Sequence, residues 1–288
     1  MRRSLFKRVE HWLYLLPAFF FIILFTYYPF AMTVGKSFFL TNSMGKVREF
    51  VGFENYARIL ADKEFLSAIK NTFIYALVSV PSSILIALML ALIANRRTRT
   101  SSIYETMFAI TMAMSTSVCA MIFELIYNPS LGILNAALGT KISWLTDGDY
   151  ALYAISFISV WMNIGFNFLF LLAAVRAVPK ELLECAEIEG AGFFRKTTNV
   201  ILPIISPTVF FLIVNSLARA MMMSGLIIIL TNGGRSGSAS TMISYMYSQA
   251  VLAQNYNNGY AAAIIAFLIT FVLMLFSFSL ENKTVHYN

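Results

Sequence analysis

Long apolar blocks limit most strongly what this chain can fold into. Each of six blocks is long enough for a helix that crosses a bilayer, which needs about 20 mostly apolar residues. The blocks lie at residues 13–35, 72–94, 103–128, 150–175, 204–230 and 259–280. Hydrophobic residues make up 59% of the sequence and charged residues 12%, whereas a soluble domain has roughly 45–50% and roughly 25%. The sequence therefore predicts an all-α membrane protein built as a bundle of six transmembrane helices.

The bundle is predicted to fill the whole chain. The sequence shows no internal repeat, no low-complexity linker and no segment typical of a soluble domain. The first apolar block continues to about Val34 without a small-residue cleavage motif after it, so it is interpreted as a retained helix rather than a signal peptide. We expect residues 1–288 to form a single transmembrane domain.

Basic residues indicate the orientation, because short cytoplasmic segments are enriched in Lys and Arg. Four precede the first block, three separate the second from the third, and four separate the fourth from the fifth. The segments after blocks three and five carry only Lys141 and Arg235. The segment from Lys36 to Lys70 is an exception, with six basic residues partly offset by four acidic ones. We predict that both termini are cytoplasmic, and that the net charge of +7 reflects topology rather than nucleic-acid binding.

The first outer segment contains an amphipathic pattern. In GFENYARILADKEFLSAIKN, Phe53, Tyr56 and Leu60 recur at helical spacing, and Phe65 and Ile69 extend the apolar face. This spacing predicts an amphipathic helix at the outer membrane surface. A loop that covers the top of the bundle is the alternative.

Several kinds of catalytic site are missing from the sequence. No GxxxxGK[ST] phosphate loop occurs, so the chain is not expected to hydrolyse ATP by itself. The only histidines, His11 and His286, lie at the two ends of the chain, where they cannot complete a metal or nucleophile site within the spans. Cys119 and Cys185 form no CxxC motif, so no metal and no disulfide is expected. The chain is predicted not to be an enzyme.

The segment ECAEIEGAGFFRKTTNVILP is unusually acidic for this chain. Four of the 14 acidic residues fall between Glu181 and Glu189. Pro179 suits the first turn of a helix, Gly190 suits its end, and a second helix stopped or bent at Pro203 is predicted to follow. A helix–turn–helix loop at residues 179–203 with an exposed aromatic pair can dock on a protein. The alternative is a loop resting on the bilayer, which the anionic inner leaflet disfavours for an acidic segment.

The spacing of this segment resembles a known motif. Glu184, Ala186, Gly190 and the Leu202–Pro203 pair match the EAA motif of the permease subunits of ATP-binding-cassette importers. Cys185 stands where that family usually has alanine, and Val200 where it often has isoleucine. Further segments are similar to the sugar-permease branch of MalF-like and UgpA-like subunits, in the expected order. They are YLLPAFFFIILFTYYPF, FVGFENYARILADKEFLSAIKNTFIYAL, NPSLGILNAAL, WMNIGFNFLFLLAAVRAVPKELLE, LPIISPT and LTNGG.

The resemblance implies a fold, a transport system and several partner proteins. It implies the six-helix bundle of a type I importer whose EAA loop forms a coupling helix on a cytoplasmic ATPase. It implies a second homologous permease subunit in a heterodimer, two ATPase subunits, an extracytoplasmic solute-binding protein and a bacterial or archaeal cytoplasmic membrane. No cofactor would be bound by this chain, since ATP and Mg²⁺ are used by the ATPase. The candidate coupling residues are Glu184, Ala186, Glu187, Gly190, Ala191, Gly192, Phe193, Phe194, Leu202 and Pro203.

Polar residues within the blocks are candidates for the solute pathway, because such groups tend to face a cavity or a partner helix. They are Glu124, Trp161, Asn163, Asn167, Asn215, Arg219 and Ser224. Hydrogen bonds between helices are the alternative for the Asn and Ser side chains, and ordinary packing for Trp161. Arg219 is expected either to pair with Glu124 or to face an anionic solute. Sugar permeases often have Phe-Asp where this chain has Ser224-Gly225, so no particular sugar is predicted.

Three functions remain open at this point. The first is a permease subunit of an importer for a sugar, an oligosaccharide or a glycerol-phosphate-like polyol. The second is an ATP-independent secondary transporter or channel, which usually needs inverted repeats or ionisable groups at membrane depth. The third is a membrane scaffold that recruits a cytoplasmic protein through the acidic loop.

Overall fold

The computed structural model describes residues 14–95, 101–231 and 239–284, with side chains to residue 281. The histidines, the basic residues before the first block and between the second and third blocks, most of LTNGG and Arg235 lie outside these ranges. The helices are α1 Tyr14–Ser37, α2 Glu54–Leu60, α3 Lys63–Ala94, α4 Ser101–Ala109, α5 Thr116–Ile126, α6 Ile133–Leu138, α7 Ala151–Ala177, α8 Lys180–Ile188, α9 Phe193–Lys196, α10 Leu202–Met221, α11 Gly225–Leu230, α12 Met242–Tyr247 and α13 Tyr256–Thr284. Strands β1 Phe39–Thr41 and β2 Val47–Phe50 pair antiparallel.

Five described helices are long and apolar enough to cross a membrane. They are Tyr14–Ser37, Lys63–Ala94, Ala151–Ala177, Phe193–Leu230 and Tyr256–Glu281. A sixth candidate crossing is a pair of helices, Ser101–Ala113 and Thr116–Ile126, bent by 101°. In the described ranges the fold is therefore an all-α membrane bundle with up to six crossings.

The third apolar block is not one straight helix. Between its halves, Met114 and Ser115 adopt extended backbone, with ψ of 133° and 150°. The Ser115 hydroxyl accepts a hydrogen bond from the Val118 amide at 3.3 Å, which starts α5 with a side-chain cap. The serines and threonines here favour such local bonds over helix continuation, so the block contains a break that its hydropathy does not show.

The predicted surface helix of the first outer segment is in fact two helices. α2 ends at Leu60, and α3 begins at Lys63 rather than at residue 72. The Asp62 carboxylate accepts a hydrogen bond from the Glu64 amide at 2.8 Å and caps α3. Phe65 therefore belongs to the long helix, where it is fully buried against Tyr245 at 5.2 Å between ring centres.

The core lies between α3 and α7. Small residues on α3, including Ala87 and Ala91, are buried with Ile155 and Ile158 of α7, and such residues allow transmembrane helices to approach closely. The Tyr75 hydroxyl donates to the Ser159 hydroxyl at 2.5 Å across this contact. By contrast, no described residue of α1 before Thr33 is buried, which leaves a large apolar face of the kind that meets lipid or another membrane protein.

Candidate functional site

The acidic loop forms a compact helix–turn–helix unit. α8 ends in a Schellman turn, in which the Ala191 amide donates to the Ala186 carbonyl and the Gly190 amide to the Glu187 carbonyl, both at 2.9 Å. Gly190 has φ of +76°, a left-handed conformation that glycine adopts without steric cost. The turn thus directs α9 away from α8 within four residues, as the sequence predicted.

The tip of this loop is exposed. Ile188 is 87% exposed and Phe194 is 82% exposed, and Phe193 and Glu184 are exposed beside them. The Lys196 ammonium donates to the Glu187 carboxylate at 2.6 Å and joins the two arms. This hydrogen bond, together with the Lys196 charge, holds the pKa of the Glu187 carboxyl below its usual range. The loop therefore presents aromatic and acidic side chains on a defined scaffold.

The second arm continues into the membrane instead of stopping at Pro203. A π-helical turn at Thr197–Ile201 follows α9, and the Leu202 amide donates to the Thr197 carbonyl five residues earlier. Pro203 is the second residue of α10 and lies just after this turn, so the helix passes through the proline rather than starting or ending at it. Leu202 and Pro203 are half-buried, so they connect the exposed loop to the bundle.

If the loop docks on an ATPase, as the resemblance implies, Lys196→Gln should weaken that binding less than twofold at neutral pH, because exposed ion pairs contribute little. The pKa of the Glu187 carboxyl is lower in the folded loop. Any stabilisation by the pair is therefore present above the carboxyl's ordinary pKa and is lost as the pH falls through the lowered value. Titration of the purified chain with that ATPase at several pH values measures this, with Lys180→Gln as the exposed lysine control. A tenfold loss at neutral pH would contradict the expectation.

A second candidate site is a cavity of about 390 Å³ among α3, α7, α10 and the break in the third block. Its wall combines apolar side chains with hydroxyl, amide and guanidinium groups. The polar lining residues are Tyr75, Ser79, Ser83, Thr111, Thr116, Ser159, Asn163, Ser216 and Arg219. Such a wall suits a small hydroxylated solute, because orientation in pockets comes from a few placed polar groups.

Only two of the seven predicted pathway residues, Asn163 and Arg219, line this cavity. The Arg219 guanidinium stacks on Phe166, with its carbon 4.7 Å from the ring centre. No carboxylate pairs with Arg219 in the described part of the chain. Glu124, the expected alternative partner, is exposed on α5.

The other predicted residues have different surroundings. The buried Asn167 amide donates to the Ser83 hydroxyl at 3.2 Å, which is a bond between helices. Trp161 packs edge-on against Phe123 at 5.7 Å. Asn215 is half-buried on α10, and Ser224 precedes α11 without capping it through its side chain.

Sequence reasoning missed most of the cavity wall. Tyr75, Ser79 and Ser83 recur every fourth residue on α3 and therefore share one face of the helix. Ser159 and Asn163 repeat the same spacing on α7. Polar residues spaced four apart within an apolar block could have indicated this part of the cavity wall from the sequence.

Most of the chain matches a known protein family. Residues 57–282 match the model of the family described as "Binding-protein-dependent transport system inner membrane component". The chain belongs to this family. It is accordingly a permease subunit of a binding-protein-dependent importer and not an enzyme; ATP hydrolysis in these importers belongs to a separate subunit. Membership also identifies the apolar helices as those of a multi-pass protein of the inner membrane.

Individual members of the family align with nearly the whole chain. The sn-glycerol-3-phosphate transport system permease protein UgpA of Agrobacterium fabrum (strain C58 / ATCC 33970) is 30% identical, covering 98% of this chain and 97% of the relative. UgpA of Rhizobium meliloti (strain 1021) is 29% identical over the full length of both chains. A chain of the bacterial alginate importer, crystallised with an alginate pentasaccharide-bound periplasmic protein, matches with a TM-score of 0.83 at 23% identity, covering 97% of each chain. That structural likeness supports the fold of this inner membrane component.

Proposed function

We propose that this permease subunit moves a sugar, an oligosaccharide or a glycerol-phosphate-like polyol across the membrane through the cavity beside Arg219. The main support for transport driven by an ATPase is the exposed loop from α8 to α9. This loop is built on a glycine turn and is continuous with a membrane helix. A rigid projection with aromatic anchors and charge is suited to docking in a partner's groove. Relatives named for sn-glycerol-3-phosphate support the substrate class.

The loop receives the motion of an ATPase in this proposal. Two cytoplasmic ATPase subunits bind ATP and Mg²⁺ and press on Glu184, Phe194 and their neighbours, while this chain binds no cofactor. A homologous second permease completes the pathway, and an extracytoplasmic binding protein delivers the solute. The basic residues beside the acidic loop support a cytoplasmic location for the loop and for both termini.

Co-purification and uptake test the proposal. The tagged chain, expressed with its partner subunits, should retain an ATPase and a second permease, and proteoliposomes should accumulate solute only with ATP and binding protein. Uptake that follows an ion gradient without the ATPase would instead favour a secondary transporter. Uptake unaffected by deletion of this chain would favour a scaffold.

A further inference from the structure

The cavity wall carries an uncompensated positive charge. Arg219 is the only charged residue among the lining residues that the structure describes. Stacking on Phe166 leaves the edge of a planar guanidinium available, and that edge matches a carboxylate or phosphate. Arg219 is exposed, so an occupant of the cavity can reach its guanidinium group. A lone guanidinium in such a wall therefore favours an anionic occupant.

An unsatisfied hydroxyl lies on the same helix face. Ser216 is three residues before Arg219, is 6% exposed and lines the cavity. Its Oγ has no hydrogen-bond partner within the described ranges. Because buried polar groups are nearly always paired, this oxygen lacks a partner that an occupant of the cavity can supply.

The break in the third block brings a helix N-terminus to the same cavity. α5 starts at Thr116, which lines the wall together with Met114, and its first turn contains no acidic residue. The first amides of a helix carry partial positive charge and bind anions. The N-terminus of α5 therefore adds to the positive potential of Arg219 in the cavity. The two groups lie on different helices, so they are separate observations.

We infer that the solute is anionic, and that its phosphate or carboxylate group binds in this cavity with Arg219 as the charge partner. Ser216 and the first turn of α5 contribute hydrogen bonds, while Tyr75, Ser159 and Asn163 contact the hydroxyl groups. The volume of about 390 Å³ is at the small end for ligand sites, which favours a small solute or one end of a longer one. This inference rests on the proposed function, since it names the solute class of the same pathway.

Paired probes test the charge requirement on the purified complex of this chain with its partner permease and ATPase. The anionic probes are sn-glycerol 3-phosphate and glucuronate, and their uncharged counterparts are glycerol and glucose. Saturation-transfer NMR in detergent measures the dissociation constant of each water-soluble probe and separates phosphate from carboxylate binding. The variants are Arg219→Gln, Arg219→Lys and Ser216→Ala, with Arg58→Gln, an exposed arginine on α2, as the control.

We expect at least one anion to bind about tenfold more tightly than its neutral counterpart, as for a charge-assisted hydrogen bond. Arg219→Gln should abolish this preference, Arg219→Lys should keep part of it, and Arg58→Gln should keep all of it. No preference for either anion, or a preference that survives Arg219→Gln, would overturn the inference. If Arg219→Gln fails to assemble, Ser216→Ala decides: it should weaken anion binding about threefold, and unchanged binding counts against the inference.

Uptake separates this inference from the proposed function. ATP-driven uptake of a neutral solute that is insensitive to Arg219→Gln would refute the anion site and leave the importer intact. Anion preference in a complex without any ATP-driven uptake would refute the importer and leave the anion site intact.

Discussion

Gly190→Asp is expected to weaken ATPase binding at least tenfold and to lower ATP-driven uptake by the same factor or more. Gly190 has φ of +76° at the exposed turn between α8 and α9, and apart from its chain neighbours no described residue lies within 4 Å of an added Cβ. A side chain at this φ strains the turn itself but meets no span. The spans therefore stay folded, while the new carboxylate obstructs the partner's groove and adds charge to an acidic surface. A tenfold change corresponds to about 1.4 kcal/mol of binding free energy.

The chain offers a matched control for this substitution. Gly139 has φ of +66° at the end of α6, and again no described residue beyond its chain neighbours lies within 4 Å of an added Cβ, but it belongs to a different loop. Gly139→Asp should keep ATPase binding, whereas Gly190→Asn separates the added bulk from the added charge. Amounts of ATPase retained per permease give the readout. Unchanged ATPase retention by Gly190→Asp would show that the loop does not dock as proposed.

Gly165→Ala should destabilise the bundle by roughly 1–3 kcal/mol, the usual cost of overpacking. A Cβ at this position of α7 would lie 2.5 Å from the Thr111 hydroxyl oxygen and 3.0 Å from the Phe108 carbonyl oxygen. The Gly165 amide also donates to that hydroxyl at 3.1 Å. The broken third block would therefore have to move away from α7, and Thr111 would move with it out of the cavity wall.

The thermal midpoint of the purified complex measures this effect. Gly35→Ala is the control, because Gly35 is also inside a membrane helix but has nothing within 4 Å of an added Cβ. It should leave the midpoint unchanged or raise it slightly, since alanine favours helix. Equal midpoints for the two variants would mean that the close approach at Gly165 is not required.

The sequence predicted those parts of the molecule that depend on local chemistry. Hydropathy located the long helices, and Pro179 and Gly190 bounded α8 because their backbone preferences act within one turn. The break at Met114–Ser115 was not predicted, since an apolar block looks the same whether its helix is straight or bent by 101°.

The hairpin and the cavity depend on contacts between distant residues. Asn257 of α13 accepts hydrogen bonds from the amide and hydroxyl of Thr41 at 2.7 and 2.9 Å and so fixes the hairpin, which no local pattern indicated. Asn163 and Arg219 were both candidates for the solute pathway, but their meeting in one cavity depends on how α7 and α10 pack.

The ion pair of Arg176 with Glu105 lies close to α8 and connects several helices. Arg176, four residues before α8, contacts the Glu105 carboxylate of α4 at 2.6 Å and the Ala94 carbonyl of α3 at 3.1 Å. It thereby links α7, α4 and α3. If α8 receives the motion of an ATPase as proposed, that motion reaches all three helices together rather than α7 alone.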